Sequence, residues 1–138
     1  MAKRVFVVDD ERIIADTLAA ILARCGYDVN AFYDAESALT RAESLAPDLV
    51  ISDVVMPQMN GVDMAIVMTK RFPSCRVLLF SGQAATSGML KEARLKGHDF
   101  ELLAKPIHPK DLLAKLEPVT ERPLTPTVED LAAGEKVA

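Results

Sequence analysis

The chain has no tryptophan, and aromatic residues make up only 5% of its 138 positions. Its core must therefore be built from Val, Leu, Ile, Ala and Met, which suits helices covering a sheet. There are two cysteines, Cys25 and Cys75, far apart and matching no metal-ligand spacing. That excludes a disulfide framework and reads as reduced core or near-surface thiols of a cytosolic protein. No apolar run approaches the roughly 18 residues of a membrane span. Met1-Ala2-Lys3-Arg4 leads into only four apolar residues before acids begin, so neither a signal peptide nor a membrane partner is expected. Basic charge is also lacking. The formal net charge is −4, and residues 117–138 carry −3 of it. An autonomous nucleic-acid binder would show the opposite balance.

What is present is a hydrophobic content of 50%, ordinary for a globular chain. A chain of this length buries about two thirds of the surface its unfolded form exposes, enough for one domain without staples.

Val5-Phe6-Val7-Val8 is a β-branched and aromatic run that stops at Asp9-Asp10-Glu11, a buried strand ending in carboxylates. Ile13, Ile14, Leu18, Ile21, Leu22 and Cys25 follow at helical spacing until Gly26. A short strand is expected over 28–32, then a helix marked by Ala38, Leu39, Ala42 and Leu45 and closed by Pro47. Leu49-Val50-Ile51-Ser52 is too short for a helix, reads as a central buried strand and ends on Asp53. A loop containing Pro57 and Gly61 leads to a third helix through Val62, Ala65, Ile66 and Thr69. Then come a strand over 76–80 ending at Ser81-Gly82, a helix over 87–96, a strand over 100–104 running into Lys105-Pro106, and a last helix carrying Leu112, Leu113 and Leu116.

Strand and helix alternate five times. This predicts an α/β protein with a doubly wound five-stranded parallel sheet joined by right-handed crossovers. With strand order 2-1-3-4-5, strands one and three are neighbours where the winding reverses, and ligands bind beyond their carboxyl ends. Asp9 and Asp10, Asp53, Ser81 and Lys105 all fall at such ends. Carboxylates brought together there would repel one another at pH 7 unless a cation joined them. A hard divalent ion such as Mg²⁺ suits an all-oxygen site. An ionised Asp is already a nucleophile for phosphoryl transfer, and Lys105 and Ser81 are suited to hold phosphoryl oxygens. Singly, Asp9 also reads as a helix N-cap and Ser81 as a turn residue beside Gly82. His98 and His108 read as surface residues.

Val8-Asp9-Asp10-Glu11, the stretch from Asp53 to Gly61, Ser81-Gly82 and Lys105-Pro106-Ile107 together resemble the signature of receiver domains of bacterial two-component response regulators. The resemblance spans residues 3–117 and implies a flavodoxin-like (βα)5 receiver fold over residues 1–117. It implies phosphorylation of Asp53 by a sensor histidine kinase, a phosphotransfer protein or a small phosphodonor. It also implies Mg²⁺ held by Asp9, Asp10, Asp53 and the backbone carbonyl of Val55, phosphate contacts from Ser81 and Lys105, and a cis bond before Pro106.

Receiver domains usually carry Tyr or Phe three residues before the lysine, and here that residue is Leu102. Phe100, two residues earlier, is expected on the same strand face. The switch is therefore expected to be weakened or carried by another residue. Residues 118–138, with Pro118, Pro123 and Pro126, read as an acidic, largely disordered tail. Within it Thr127 and Asp130 have capping-box spacing that could start a helical turn.

The expectation is a stand-alone receiver that signals through the face formed by its fourth helix, fifth strand and fifth helix. Three alternatives stay open: a phosphate sink or relay, a receiver-like binding module that works without phosphorylation, and a Mg²⁺-dependent phosphohydrolase. The last would ordinarily place an acid two residues after the nucleophile, where this chain has Val55. Val55 and Gln83 flank the approach of attacking water.

Overall fold

The computed structural model describes residues 3–82 and 87–116. The chain up to Ile107 forms one compact unit. It contains strands β1 (Arg4–Val8), β2 (Asp28–Phe32), β3 (Leu49–Asp53), β4 (Arg76–Ser81) and β5 (Glu101–Ala104). Its helices are α1 (Arg12–Arg24), α2 (Ala35–Ser44), α3 (Gly61–Arg71) and α4 (Ser87–Leu95). All pairings are parallel, and the order is β2-β1-β3-β4-β5, as expected from the alternation.

The period-two geometry of the strands sorts the core into two layers. Phe6, Val8, Val50, Val77 and Leu79 point to one face, where they join Ala35, Ala38 and Ala42 of α2, Val62, Ala65 and Met68 of α3, and Leu90 and Ala93 of α4. Val5, Val7, Ile51, Leu78 and Phe80 are equally buried but stand outside that cluster. Helix α1, which meets β1 and β2, shares no residue with it and covers the opposite face. The small residues of α2 let it approach the sheet closely without rings to fill the space.

Helix ends follow from local chemistry. The Asp34 carboxylate accepts the Ser37 N–H at 2.7 Å and starts α2, and the Asn60 side chain accepts the Asp63 N–H at 2.8 Å and starts α3. Gly26 and Gly97, at φ 98° and 93°, close α1 and α4. In each case the residue after the glycine donates to a carbonyl five positions back, Tyr27 to Leu22 and His98 to Ala93. This is the left-handed termination that glycine permits.

The second unit begins at His108, and its described part carries α5 (Pro109–Leu116). Proline at the first helical position has no N–H to leave unpaired. Asp111 in the first turn and Lys115 in the last both suit the helix dipole.

Two expectations, for Ile13 and Phe100, need correction. Ile13 is 81% exposed. The inward stripe of α1 is Ala15, Leu18 and Leu22, and a residue two positions before Ala15 points to the far side of a 3.6-residue turn. Cys25 is exposed because it is the C-cap, where the chain leaves the helix, whereas Cys75 is buried. Phe100 precedes β5 rather than belonging to it; it packs against the core cluster and stacks on His98. Strand alternation therefore does not pair it with Leu102, which is exposed. The expected tail, its capping box and Gln83 lie outside the described residues.

Candidate functional site

Strands β1 and β3 run side by side, with Val8 opposite Ser52, so the residues that follow them emerge together. Asp9 and Asp53 are buried there, and Asp10 is exposed at the rim. Each of the three offers a carboxylate oxygen lying within 4.8 Å of the other two. Lys105, just beyond β5, reaches back so that its Nζ donates to Asp53 Oδ2 at 3.1 Å. Asp10, Glu11, Asp53, Val55, Ser81, Gly82 and Lys105 line a cleft of about 250 Å³. The sheet thus brings together the acids, hydroxyl and ammonium that the sequence places at four strand ends. Leu102 and Phe100 do not line the cleft.

Asp9 is not the N-cap of α1. That position is Glu11, and no side chain caps it. Instead Asp9 Oδ1 accepts the Glu11 N–H at 2.9 Å, while Oδ2 is buried without a hydrogen-bond partner. Burial pushes the Asp9 carboxyl up to about 6; the Glu11 N–H opposes this and the Asp53 charge adds to it. An orphaned carboxylate oxygen in an all-oxygen cluster is what a hard divalent cation would satisfy.

Two glycines are required by close approach. A Cβ on Gly61 would meet the Asp53 carbonyl oxygen at 2.1 Å, because the turn into α3 folds back over the end of β3. A Cβ on Gly82 would meet Lys105 Cβ at 2.9 Å. The peptide before Pro106 is cis. Val55 is 52% exposed and faces solvent at the cleft, while its neighbours Val54 and Met56 are buried. The sequence reading missed Glu11 as a wall of the cleft and as the backbone donor to Asp9; its place directly after the acidic pair was the available signal.

A sequence model of the response regulator receiver domain matches residues 5–117. The chain belongs to the response regulator receiver family. Its relatives include the alkaline phosphatase synthesis transcriptional regulatory protein PhoP of Bacillus subtilis, 30% identical over 88% of this chain and 50% of that protein. The chemotaxis protein CheY of Thermotoga maritima is 28% identical over 88% of this chain and 100% of its own length. The CheY-like receiver domain protein of Methanospirillum hungatei superposes with a TM-score of 0.75 at 28% identity, covering 84% of this chain and 91% of that one. The receiver thus spans about half the length of PhoP and the whole length of the chemotaxis protein. Among the described residues no helix is long and apolar enough to cross a membrane.

Proposed function

We propose that this receiver is the phosphoryl-accepting domain of a cytoplasmic response regulator, spanning residues 1–117. In this reading Asp53 accepts a phosphoryl group from a sensor histidine kinase or phosphotransfer protein. The observation that carries it is the Asp53 carboxylate, held at the end of a buried strand beside two further acids and 3.1 Å from the Lys105 ammonium.

An Asp53 oxygen attacks the donor phosphorus, and the new O–P bond forms as the P–N bond of phosphohistidine breaks. The leaving imidazole keeps the electron pair and takes a proton. Lys105 neutralises phosphoryl oxygens as charge shifts toward the carboxylate, and Ser81, at the end of β4 in the same cleft, donates to one of them. Asp9, Asp10, Asp53 and the Val55 carbonyl would hold Mg²⁺, which supplies positive charge for the transferring group.

Output is a changed affinity for a protein partner. We assign its readout to α4, β5 and α5, and neither nucleic acid nor membrane enters this reading. Val55, an apolar side chain where a phosphohydrolase would carry its second acid, supports acceptance over turnover. The exposed Leu102 at the usual aromatic position favours a second reading, a receiver whose partner binding does not follow phosphorylation. A phosphate sink or relay would use the same acceptor.

Intact-mass measurement after incubation with acetyl phosphate tests the main reading. One Mg²⁺-dependent phosphoryl adduct, absent from Asp53→Asn, is expected. No adduct with acetyl phosphate or with a phosphorylated kinase domain would leave the second reading.

A further inference from the structure

We infer that Gly82 is a positioning residue for Lys105: its missing side chain lets the lysine stem lie against the end of β4, which is what brings Nζ to Asp53. A Cβ at position 82 would stand 2.9 Å from Lys105 Cβ, 3.4 Å from Cδ and 3.5 Å from Cγ. Three atoms along one stem thus run past the glycine. The closest is the Cβ, fixed to the main chain, so the conflict cannot be relieved by swinging the far end of a flexible side chain. The main chain has little room to yield, because the Lys105 N–H is bonded to the Ser81 carbonyl at 3.3 Å and β4 pairs with β5 up to Ser81 and Ala104. Turning the stem about its Cα–Cβ bond does not move that Cβ, so the chain just beyond β5 must tilt slightly, and the tilt is carried along the stem to its tip. The ion pair there, 3.1 Å long, depends on the direction of the stem.

The backbone conformation of Gly82 is not in the left-handed region. The glycine is therefore explained by the space it leaves and not by the turn it makes. Position 82 is exposed, and it lines both the acidic cleft and a neighbouring apolar groove bordered by Ile13, Ile14, Pro106 and Ile107. An added methyl there disturbs no buried core.

The consequence for phosphoryl acceptance rests on the proposed function, but the positioning itself does not. It is tested without phosphate or metal by treating the protein with a carbodiimide. This reagent joins a carboxylate and an amine in contact, with loss of water. Peptide mapping of the parent is expected to show an Asp53–Lys105 amide. Gly82→Ala and Gly82→Ser are expected to lose it about tenfold, the size of effect that goes with overpacking against a fixed neighbour. The Glu92–Lys96 pair of α4, 3.8 Å apart, serves as the internal control and should crosslink equally in all three proteins. A Gly82 variant that keeps the 53–105 crosslink at the parent yield overturns the inference, as does a parent that never forms it. A parent that forms the crosslink yet accepts no phosphoryl group overturns the proposed function alone.

Discussion

Lys105 and Asp53 are 52 residues apart in sequence and joined at 3.1 Å, Nζ to Oδ2, with the lysine half-buried and the carboxylate nearly closed off from solvent. The sheet order creates this contact: β3, β4 and β5 are consecutive neighbours, so groups leaving their carboxyl ends meet across β4. The ammonium offsets repulsion from Asp9 and Asp10 and stands ready for incoming phosphoryl oxygens.

Removing it should therefore have two opposite effects. Lys105→Ala is expected to slow adduct formation with acetyl phosphate by about 10²-fold, the loss typical of one preorganised charge partner. The same variant should bind Mg²⁺ more tightly than the parent, because the competing cation is gone. Calorimetric titration with MgCl₂ reads the second effect without any phosphodonor, and a weaker affinity would contradict it.

Asp9 makes cation binding depend on pH. Its carboxyl is pushed up to about 6, mainly by burial, and must lose its proton before it can bind a cation. Lowering pH from 7 to 5 should weaken Mg²⁺ binding about tenfold through this group. The folded state holds the Asp9 proton more tightly than the unfolded chain. Its contribution to stability is thus fully present below pH 3.8 and is lost as pH rises through about 6. Thermal unfolding with a chelator should show that fall, and Mg²⁺ should offset it at neutral pH.

Gly61→Ala should damage both fold and site. Its Cβ would sit 2.1 Å from the Asp53 carbonyl oxygen, so either α3 or the end of β3 must move. A loss of about 1–3 kcal/mol by urea unfolding is expected, as for overpacking. The Asp53 backbone is displaced as well, so adduct formation should fall with it.

Asp34→Ala makes the contrasting case. It removes the 2.7 Å cap on the Ser37 N–H at the start of α2, outside the cleft. Stability should drop by about 1 kcal/mol while the rate of phosphoryl acceptance stays at the parent value.

Strands β1, β3 and β4 were legible because each is a short, mostly β-branched or aliphatic run ending abruptly in a polar group, while only a weak alternation marked β2; the ranges read for β2 and β3 match the observed ones. The site was legible for the same reason, since strand ends are where a doubly wound sheet gathers its chemistry. Periodicity failed where an apolar residue does not face the sheet. Ile13 fits the helical spacing of its neighbours yet lies in the first turn of α1, turned away from Ala15, Leu18 and Leu22. Phe100 looked like strand because it is aromatic and adjoins one, but its ring packs on the core cluster and against His98 before β5 begins. The orphaned Asp9 oxygen and the space at Gly82 depend on side chains from different strands meeting, which no local pattern encodes.

Locating the phosphoryl group is the most direct test that Asp53 is the acceptor. Borohydride reduces an aspartyl phosphate to homoserine, so peptide mapping of the reduced, acetyl phosphate-treated protein identifies the modified residue. Homoserine at position 53 alone, and only when Mg²⁺ was present, is the predicted result. Homoserine at position 9 or 10, or none in a protein that had gained phosphoryl mass, would contradict it.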